Sequence, residues 1–396
     1  MHGPTLILAA GIALVTSPAI ACTGDINGSG VVDGEDLALL LAAWKQSGQG
    51  DLDGNGVIDG SDLALLLGNW GECPEQTLQT LFDEPTRQEL MAVRNDWDSR
   101  DLSPQGWTVH GSGTFSGLTV EVVSHVLDGN RHYGFIRYPE GYSDSGSYPV
   151  LILNHGGQNG VGLGILGQAS QSCLREFVVI VPSFRGELLR TESLGLGDFL
   201  SEGPNSEFDG DIDDTISLLN GTLAHVPGAD ENMILAHGGS RGGCVTHLLS
   251  IRDTRIKGAV VFFGATDHML DSIRDQVIEI IDNGAPAGNP VINTVLNYAV
   301  DPWLNGQISF GQARLELIRR SAIHFADTSP MPMEVHHGTR DFVVPVIHSR
   351  NFDDLMQELG NGDLGFVYWE YPGGGHGSNM SEAFGRMQQF MCNQVD

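Results

Sequence analysis

Six short apolar runs recur along the chain from residue 150 onward, and the stretches between them have helical character. Runs that are apolar throughout are typical of strands buried on both faces of a sheet, and their alternation with helices indicates mainly parallel pairing. The sequence therefore predicts an α/β fold with helices on both faces. The runs are Val150–Leu153, Val178–Val181, Met233–Ala236, Ala259–Phe263, Met333–His336 and Phe366–Trp369.

Upstream of these runs the pattern changes. Val120–Val126 and His132–Tyr138 are β-rich and flank a turn at residues 127–130, which predicts a hairpin. Residues 74–100 read as a connector with one helix. Between two core strands, residues 265–330 are helix-rich, and we expect them to form a cap over a pocket.

The first 21 residues have the features of a secretory signal. An apolar run from Leu6 to Val15 is too short to span a bilayer, and residues 19–21 form a small-residue cleavage site. We therefore expect a secreted, extracellular protein without a membrane span. Because Cys22 follows the cleavage site directly, lipoprotein anchoring through Cys22 is the alternative.

A 12-residue pattern occurs twice, 26 residues apart, and each copy precedes the run Leu-Ala-Leu-Leu-Leu. Oxygen side chains at positions 1, 3, 5, 9 and 12, with glycine at position 6, are the ligand pattern of an EF-hand loop, in which position 7 contributes a carbonyl. We therefore expect two structural calcium ions. The predicted ligands are Asp25, Asn27, Ser29, Val31, Asp33 and Asp36, then Asp51, Asp53, Asn55, Val57, Asp59 and Asp62.

Each loop has a helix after it and none before it, so residues 22–73 resemble a type I dockerin module. That resemblance implies a cohesin-like partner, bound through loop positions 10 and 11. The residue pairs at these positions are Gly34-Glu35 and Gly60-Ser61, so the copies differ at position 11. Cys22 and Cys73 bracket the module, and a symmetric helix pair brings its ends together, so we expect a Cys22–Cys73 disulfide.

The composition limits which classes of molecule we expect the protein to bind. A net charge of −30 with only two lysines excludes the basic clusters that nucleic-acid binding needs. No His-Glu-x-x-His or comparable cluster points to a metal hydrolase. Five cysteines leave at least one thiol unpaired, and the pairing of Cys173, Cys244 and Cys392 stays open.

The candidate chemistry centres on His237-Gly-Gly-Ser-Arg-Gly-Gly243, which lies between an apolar run and a helix-like run. Strand, sharp turn and helix are the context of the G-x-S-x-G nucleophile elbow, which presents Ser240 at its tip. Two residues in later turns complete a catalytic set. Asp341 follows the fifth run and His376 follows the sixth, in the order of α/β-hydrolases. Asp209 and Asp211 are the alternative acids.

These motifs, together with His155-Gly-Gly, Pro182-Ser-Phe-Arg-Gly, Phe208-Asp-Gly-Asp and the stretch 337–345, resemble the catalytic domain of the prolyl oligopeptidase family. Relatives resembling dienelactone hydrolases and acyl esterases are compatible. The resemblance implies an oxyanion hole built from the backbone N–H groups of Gly157 and Arg241. The gating propeller of that family is missing, since residues 74–130 are too few for one.

We expect a secreted serine hydrolase that uses Ser240, His376 and Asp341 and cleaves peptide or carboxylic ester bonds, acylated polysaccharide among them. A carbohydrate acyl esterase and a non-catalytic interaction protein are the alternatives. The expected organisation is signal peptide 1–21, dockerin-like module 22–73, connector 74–118, and α/β-hydrolase domain 119–396 with the cap at 265–330.

Overall fold

The computed structural model describes residues 22–53, 55–73, 75–328 and 331–395. The predicted signal peptide at 1–21 lies outside these residues. The strands, numbered along the chain, are β1 Val31–Val32, β2 Gly71–Glu72, β3 Gln105–Phe115, β4 Leu118–Leu127, β5 Asn130–Arg137, β6 Tyr148–Asn154, β7 Val161–Gly162, β8 Val178–Ser183, β9 Leu188–Arg190, β10 Phe199–Leu200, β11 Ala229–Gly239, β12 Ile256–Phe262, β13 Met333–Gly338 and β14 Phe366–Tyr371.

The α-helices are likewise numbered along the chain. They are α1 Gly34–Ala42, α2 Gly60–Gly68, α3 Leu78–Leu81, α4 Arg87–Ser99, α5 Gly210–His225, α6 Arg241–Arg252, α7 Asp271–Asn283, α8 Pro290–Val295, α9 Asp301–Leu304, α10 Phe310–Ile318, α11 Ile347–Glu358 and α12 Ala383–Asn393. Between α8 and α9 the chain forms a short π-helical stretch, Leu296–Val300.

A nine-stranded sheet organises the larger part of the molecule, in the order β14-β13-β12-β11-β6-β8-β5-β4-β3. The six strands from β14 to β8 pair in parallel, and they are the six apolar runs of the sequence. The last three strands pair antiparallel. The predicted hairpin is confirmed as β4–β5, with Asp128 and Gly129 at positive φ in its two-residue turn, as a type I′ turn requires.

Alternate side chains of the parallel strands enter two separate cores. Ile152, Ile180 and Ala236 lie in the core on one face. Leu151, Val179 and Leu235 lie in the core on the opposite face. Because both faces are covered, the central positions of these strands are mostly apolar, and the strands end together at one edge of the sheet.

Residues 74–118, interpreted from the sequence as a connector with a helix, contribute to the core and to the sheet. Val93 and Trp97 of α4 are buried in the same core as the sheet. The Trp97 indole donates a hydrogen bond of 3.3 Å to Asp209. β3 then adds the edge strand beside β4. Gly-rich and half-exposed, β3 lacks the apolar alternation that identifies a strand.

The N-terminal unit has its own small core of Ile26, Val32, Leu40, Ile58 and Leu66. Its two loop–helix copies match: in each, an aspartate caps the helix, and the side chain of the aspartate three residues later accepts a hydrogen bond from the cap residue's N–H. β1 pairs with β2, which joins the beginning of the unit to its end.

Residues 265–328 are helical as expected and contain α7 to α10. Arg314 of α10 forms an ion pair with Glu89 of α4 and donates to the carbonyl of Leu81 at 3.1 Å. These helices are therefore attached to the α3–α4 segment. That they cover a substrate pocket stays a prediction.

Candidate active site

The turn between β11 and α6 places Ser240 at its tip with φ +57° and ψ −124°. This conformation is strained for a non-glycine residue and is typical of a nucleophile elbow. The neighbouring backbone is tightly packed: a Cβ on Gly238 would lie 2.1 Å from the carbonyl oxygen of Gly242, and one on Gly242 would lie 2.1 Å from that of Asn154. Glycine is therefore the residue that fits at both positions.

The structure brings Ser240, His376 and Asp341 together from three turns that follow β11, β14 and β13. The His376 Nε2 atom lies 2.9 Å from Ser240 Oγ, and its Nδ1 atom lies 2.8 Å from Asp341 Oδ2. The His376 side chain is 24% exposed, whereas the Asp341 carboxylate is fully buried. The hydroxyl, the imidazole and the carboxylate thus form a continuous hydrogen-bonded chain that opens to solvent at the serine end.

Asp341 is held ionised by its surroundings. Its Oδ1 atom accepts hydrogen bonds from the N–H groups of Val343 and Val344, each 2.9 Å long. His337 Nε2 lies 3.4 Å from Oδ2. Burial by itself would raise the pKa of Asp341, but His337, His376 and the Val344 N–H hold that pKa well below its usual range. The carboxylate can therefore orient His376 and stabilise it when it is protonated.

The Phe263 ring packs against the imidazole of His376, with 4.4 Å between the two ring centroids. Its backbone has φ +39°, and its N–H donates to the His336 carbonyl at 2.8 Å. A strained, non-glycine residue beside the candidate base indicates a positioning function. The sequence alone does not single out Phe263, because this residue ends an apolar run that is typical of a buried strand.

The alternative acids lie in a different network. Asp209 pairs with Arg100 at 2.9 Å and Asp211 with Arg241 at 2.8 Å, so each of them is an ion-pair partner of an arginine. The hydrogen bond to His376 Nδ1 comes from Asp341. The structure thus places Asp341 in the acid position.

The two residues assigned to the oxyanion hole both lie beside the nucleophile. Arg241 is the first residue of α6, where helix N–H groups carry partial positive charge. On the facing loop, a Cβ on Gly156 would lie 2.9 Å from the Gly239 carbonyl oxygen and 3.4 Å from the Ser240 Cβ, and Gly157 follows with φ +77°. The backbone around Gly157 can therefore approach Ser240 closely.

The calcium-type loops gather carboxylates, and the second loop does so most closely. One oxygen atom each of Asp51, Asp53 and Asp62 lie within 4.8 Å of one another. The Asp51 Oδ1 atom is buried and has no hydrogen-bond partner among the described residues. Burial, with Asp62 and Asp51 nearby, raises the pKa of Asp53. A hard divalent cation would bind the unpartnered oxygen and reduce the repulsion among the carboxylates, so this donor set fits calcium.

The other predicted ligands support the same loop shape. Asp36 accepts the N–H of Ile26 at 2.7 Å, and the Asp59 N–H donates to Asp62 at 2.7 Å. Asp25 accepts the Gly30 N–H at 2.8 Å, as Asp51 accepts that of Gly56. Polar contacts inside the loops also involve Asn27, Ser29, Val31, Asp33, Asn55 and Val57.

Two disulfides join distant parts of the chain. One connects Cys22 and Cys73 across the N-terminal unit. The other connects Cys173 and Cys392, which are 219 residues apart, and holds α12 against the short helical turns before β8. Cys244, one turn beyond Ser240, is a free buried thiol. Its Sγ atom donates to the carbonyl oxygen of Ala265 at 2.6 Å. Of the helices in the described ranges, none has the length and apolar character to cross a membrane.

The sheet order, the elbow and the order of the three site residues define an α/β-hydrolase fold. A scan against protein-family models finds no match, and a search of curated proteins finds none. Solved structures share the fold. Acetyl xylan esterase 1 from Thermoanaerobacterium sp. JW/SL YS485 aligns with a TM-score of 0.54 and 16% identity, over 81% of this chain and 99% of that one.

An acetyl xylan esterase from Paenibacillus sp. R4 aligns similarly, with a TM-score of 0.55, 18% identity, and coverage of 80% of this chain and 99% of that one. A putative dipeptidyl aminopeptidase IV from Bacteroides ovatus ATCC 8483 matches with a TM-score of 0.47 and 12% identity over 74% of this chain. This chain spans only 36% of that peptidase.

Proposed function

We propose that the protein is a secreted serine hydrolase that cleaves carboxylic esters, or peptide bonds, through an acyl-enzyme. The observation that carries this proposal is the chain of hydrogen bonds from Ser240 Oγ through His376 to the buried Asp341, 2.9 and 2.8 Å long. A serine hydroxyl is too weakly acidic to attack an acyl carbon unaided, and this arrangement supplies the missing base.

In the first half-reaction, Ser240 Oγ bonds to the acyl carbon while its proton moves to His376 Nε2. Backbone N–H groups of Gly157 and Arg241 bind the oxygen that becomes negative. The tetrahedral intermediate formed in this way then collapses. The bond to the leaving alcohol or amine breaks, and the leaving group takes the proton from His376. Water then repeats the sequence with His376 as base, so that the acid is released and Ser240 regains its proton.

Acylated polysaccharide is the substrate class we propose first. The two acetyl xylan esterases named above align with this chain over 99% of their own length. Among the described residues, the segment before β4 contains two calcium-type loops, the four helices α1 to α4 and the three strands β1 to β3 instead of repeated four-stranded blades. A site without such a gate suits bulky acylated polymers.

A substrate panel tests this proposal. We expect nitrophenyl acetate and acetylated xylan to be hydrolysed faster than aminoacyl-nitroanilides, and a fluorophosphonate probe to label wild type but not Ser240→Ala. Turnover of the anilides alone would make the protein a peptidase. If the probe fails to label the wild-type protein, the serine-hydrolase proposal itself is wrong.

The N-terminal unit, residues 22–73, is proposed to be a dockerin-like module that holds two calcium ions and binds a cohesin-like domain. Its paired loops supply the ligands. Between Cys22 and Cys73 there are nine acidic residues and one basic residue, so the apo unit carries strong internal repulsion. Such a module would attach the enzyme to a scaffold near its polymeric substrate.

Removal of calcium is expected to open this unit to proteolysis while sparing the hydrolase. Calorimetry should find two ions per chain. Because three carboxylates converge in the second loop, Asp51→Ala should remove the tighter site and Asp25→Ala the weaker one. Limited proteolysis with and without chelator gives the readout, and equal resistance in both conditions would contradict the calcium assignment.

A further inference from the structure

The side chain of Arg241 lies behind the proposed oxyanion hole and is almost fully buried, at 4% exposure. Its guanidinium donates to both oxygens of Asp211 at 2.8 Å and also to Glu187. It donates further to the carbonyl oxygen of Gly157 at 3.1 Å. One side chain thus connects the residue after the nucleophile to the facing residue of the oxyanion loop.

The acids around Arg241 hold the rest of that loop. Glu187 accepts the N–H of Gly160 at 2.9 Å. Glu207 accepts the side-chain amide of Gln158 at 2.5 Å and lies 3.9 Å from the Arg241 guanidinium. The other oxygen of Glu207 accepts the hydroxyl of Thr294, in α8, at 2.9 Å. The loop 157–160 is therefore tied to Arg241 directly at one point and through two carboxylates at two more.

We propose that Arg241 acts twice: its backbone N–H binds the oxyanion, and its guanidinium is the positioning group that holds Gly157 in place to do the same. This inference rests on the serine-hydrolase function proposed above. Half of the residues at 155–160 are glycines, so the loop has few side chains that could fix it by packing. Hydrogen-bond donors stabilise an oxyanion only where they are held in position beforehand.

A buried arginine among carboxylates is often a structural ion pair, and the same helix offers a matched control for that possibility. Arg252, the last residue of α6, is also 4% exposed and pairs at 2.5 Å with Asp213 of α5. Arg241, the first residue of α6, pairs with Asp211 of the same helix α5. The two pairs differ in that Arg241 also contacts the oxyanion loop.

The experiment compares Arg241→Lys with Arg252→Lys. Lysine keeps the charge but cannot bind Asp211, Glu187 and Gly157 at once, because it lacks the planar fork. For a nitrophenyl ester we expect Arg241→Lys to lower kcat by about 10- to 100-fold and to leave KM almost unchanged. This fall in kcat is somewhat smaller than the one that follows the removal of an oxyanion-hole donor itself. The affinity for a phosphonate or boronate transition-state analogue should fall by a similar factor. Arg252→Lys should lower Tm comparably and keep kcat.

Equal kcat in Arg241→Lys and wild type would overturn the inference, and so would a loss of kcat that Arg252→Lys shares. If Arg241→Lys does not fold, Glu207→Gln decides, with an expected several-fold fall in kcat at constant KM; unchanged kcat there would count against the proposal. Fluorophosphonate labelling of wild type keeps the tests separate, since its absence refutes the hydrolase function rather than the role of Arg241.

Discussion

Ser240→Ala and His376→Ala are each expected to lower kcat by about 10⁴-fold or more, because either change removes the same activated nucleophile. The 2.9 Å contact between the two side chains makes them one functional unit. The double variant should therefore be little worse than either single one. Steady-state kinetics on a soluble nitrophenyl ester, with circular dichroism to show that the fold is kept, provides the measurement.

Asp341→Asn completes this test. We expect it to keep the fold and lose activity by a comparable or smaller factor, because an amide favours the wrong imidazole tautomer. Full activity in Asp341→Asn, together with loss in Asp209→Asn or Asp211→Asn, would show that the acid is assigned wrongly.

Deletion of residues 22–73 should leave turnover of a small ester nearly intact, since the triad lies entirely between 240 and 376.

A steep loss of stability in acid is the second large effect expected. Among the described residues, seven buried histidines have pKa values lowered by burial, to about 3 or 4. They are His125, His155, His237, His247, His268, His324 and His348. The unfolded chain takes up these protons below about pH 6.5, whereas the native protein does not until about pH 4 to 3. Their stabilisation is therefore complete above pH 6.5 and is lost as pH falls through that window.

Each of these groups contributes a slope of about 1.4 kcal/mol per pH unit. Denaturant unfolding at pH 8, 6 and 5 should show the decline. His247 packs on Phe352, and neither of its ring nitrogens has a partner among the described residues, so His247→Leu should reduce the loss between pH 8 and 5 by roughly 2 kcal/mol. His225→Gln, at an exposed position, serves as control. Constant stability from pH 8 to 5 would contradict the expectation.

The parallel strands could be predicted because their burial on both faces leaves an uninterrupted apolar run. The triad residues could be located because each follows such a strand, and the turns around Ser240 and His376 are rich in glycine. β3 could not, because an edge strand that is half exposed has no apolar alternation. Local patterns report local burial, and a polar edge strand is recognised only through its neighbour.

Residues that reach the site from distant parts of the sequence could not be predicted, for a different reason. Glu187 and Glu207 act on the oxyanion loop only after folding brings them to Arg241, 54 and 34 residues further along the chain. Phe263 ends an ordinary apolar run, and nothing before folding places it against His376. Charged residues near a motif are common, so their spacing alone does not identify which of them meet.

The bond between Cys173 and Cys392 affects what a proteolytic cut would do to the protein. Ser240, Asp341 and His376 all lie between these two cysteines. A single cut in an exposed loop of that interval would leave both fragments covalently joined and packed around a common sheet. In surroundings that contain proteases, a nicked molecule therefore stays one particle with its three reacting groups together, where an uncrosslinked chain would come apart.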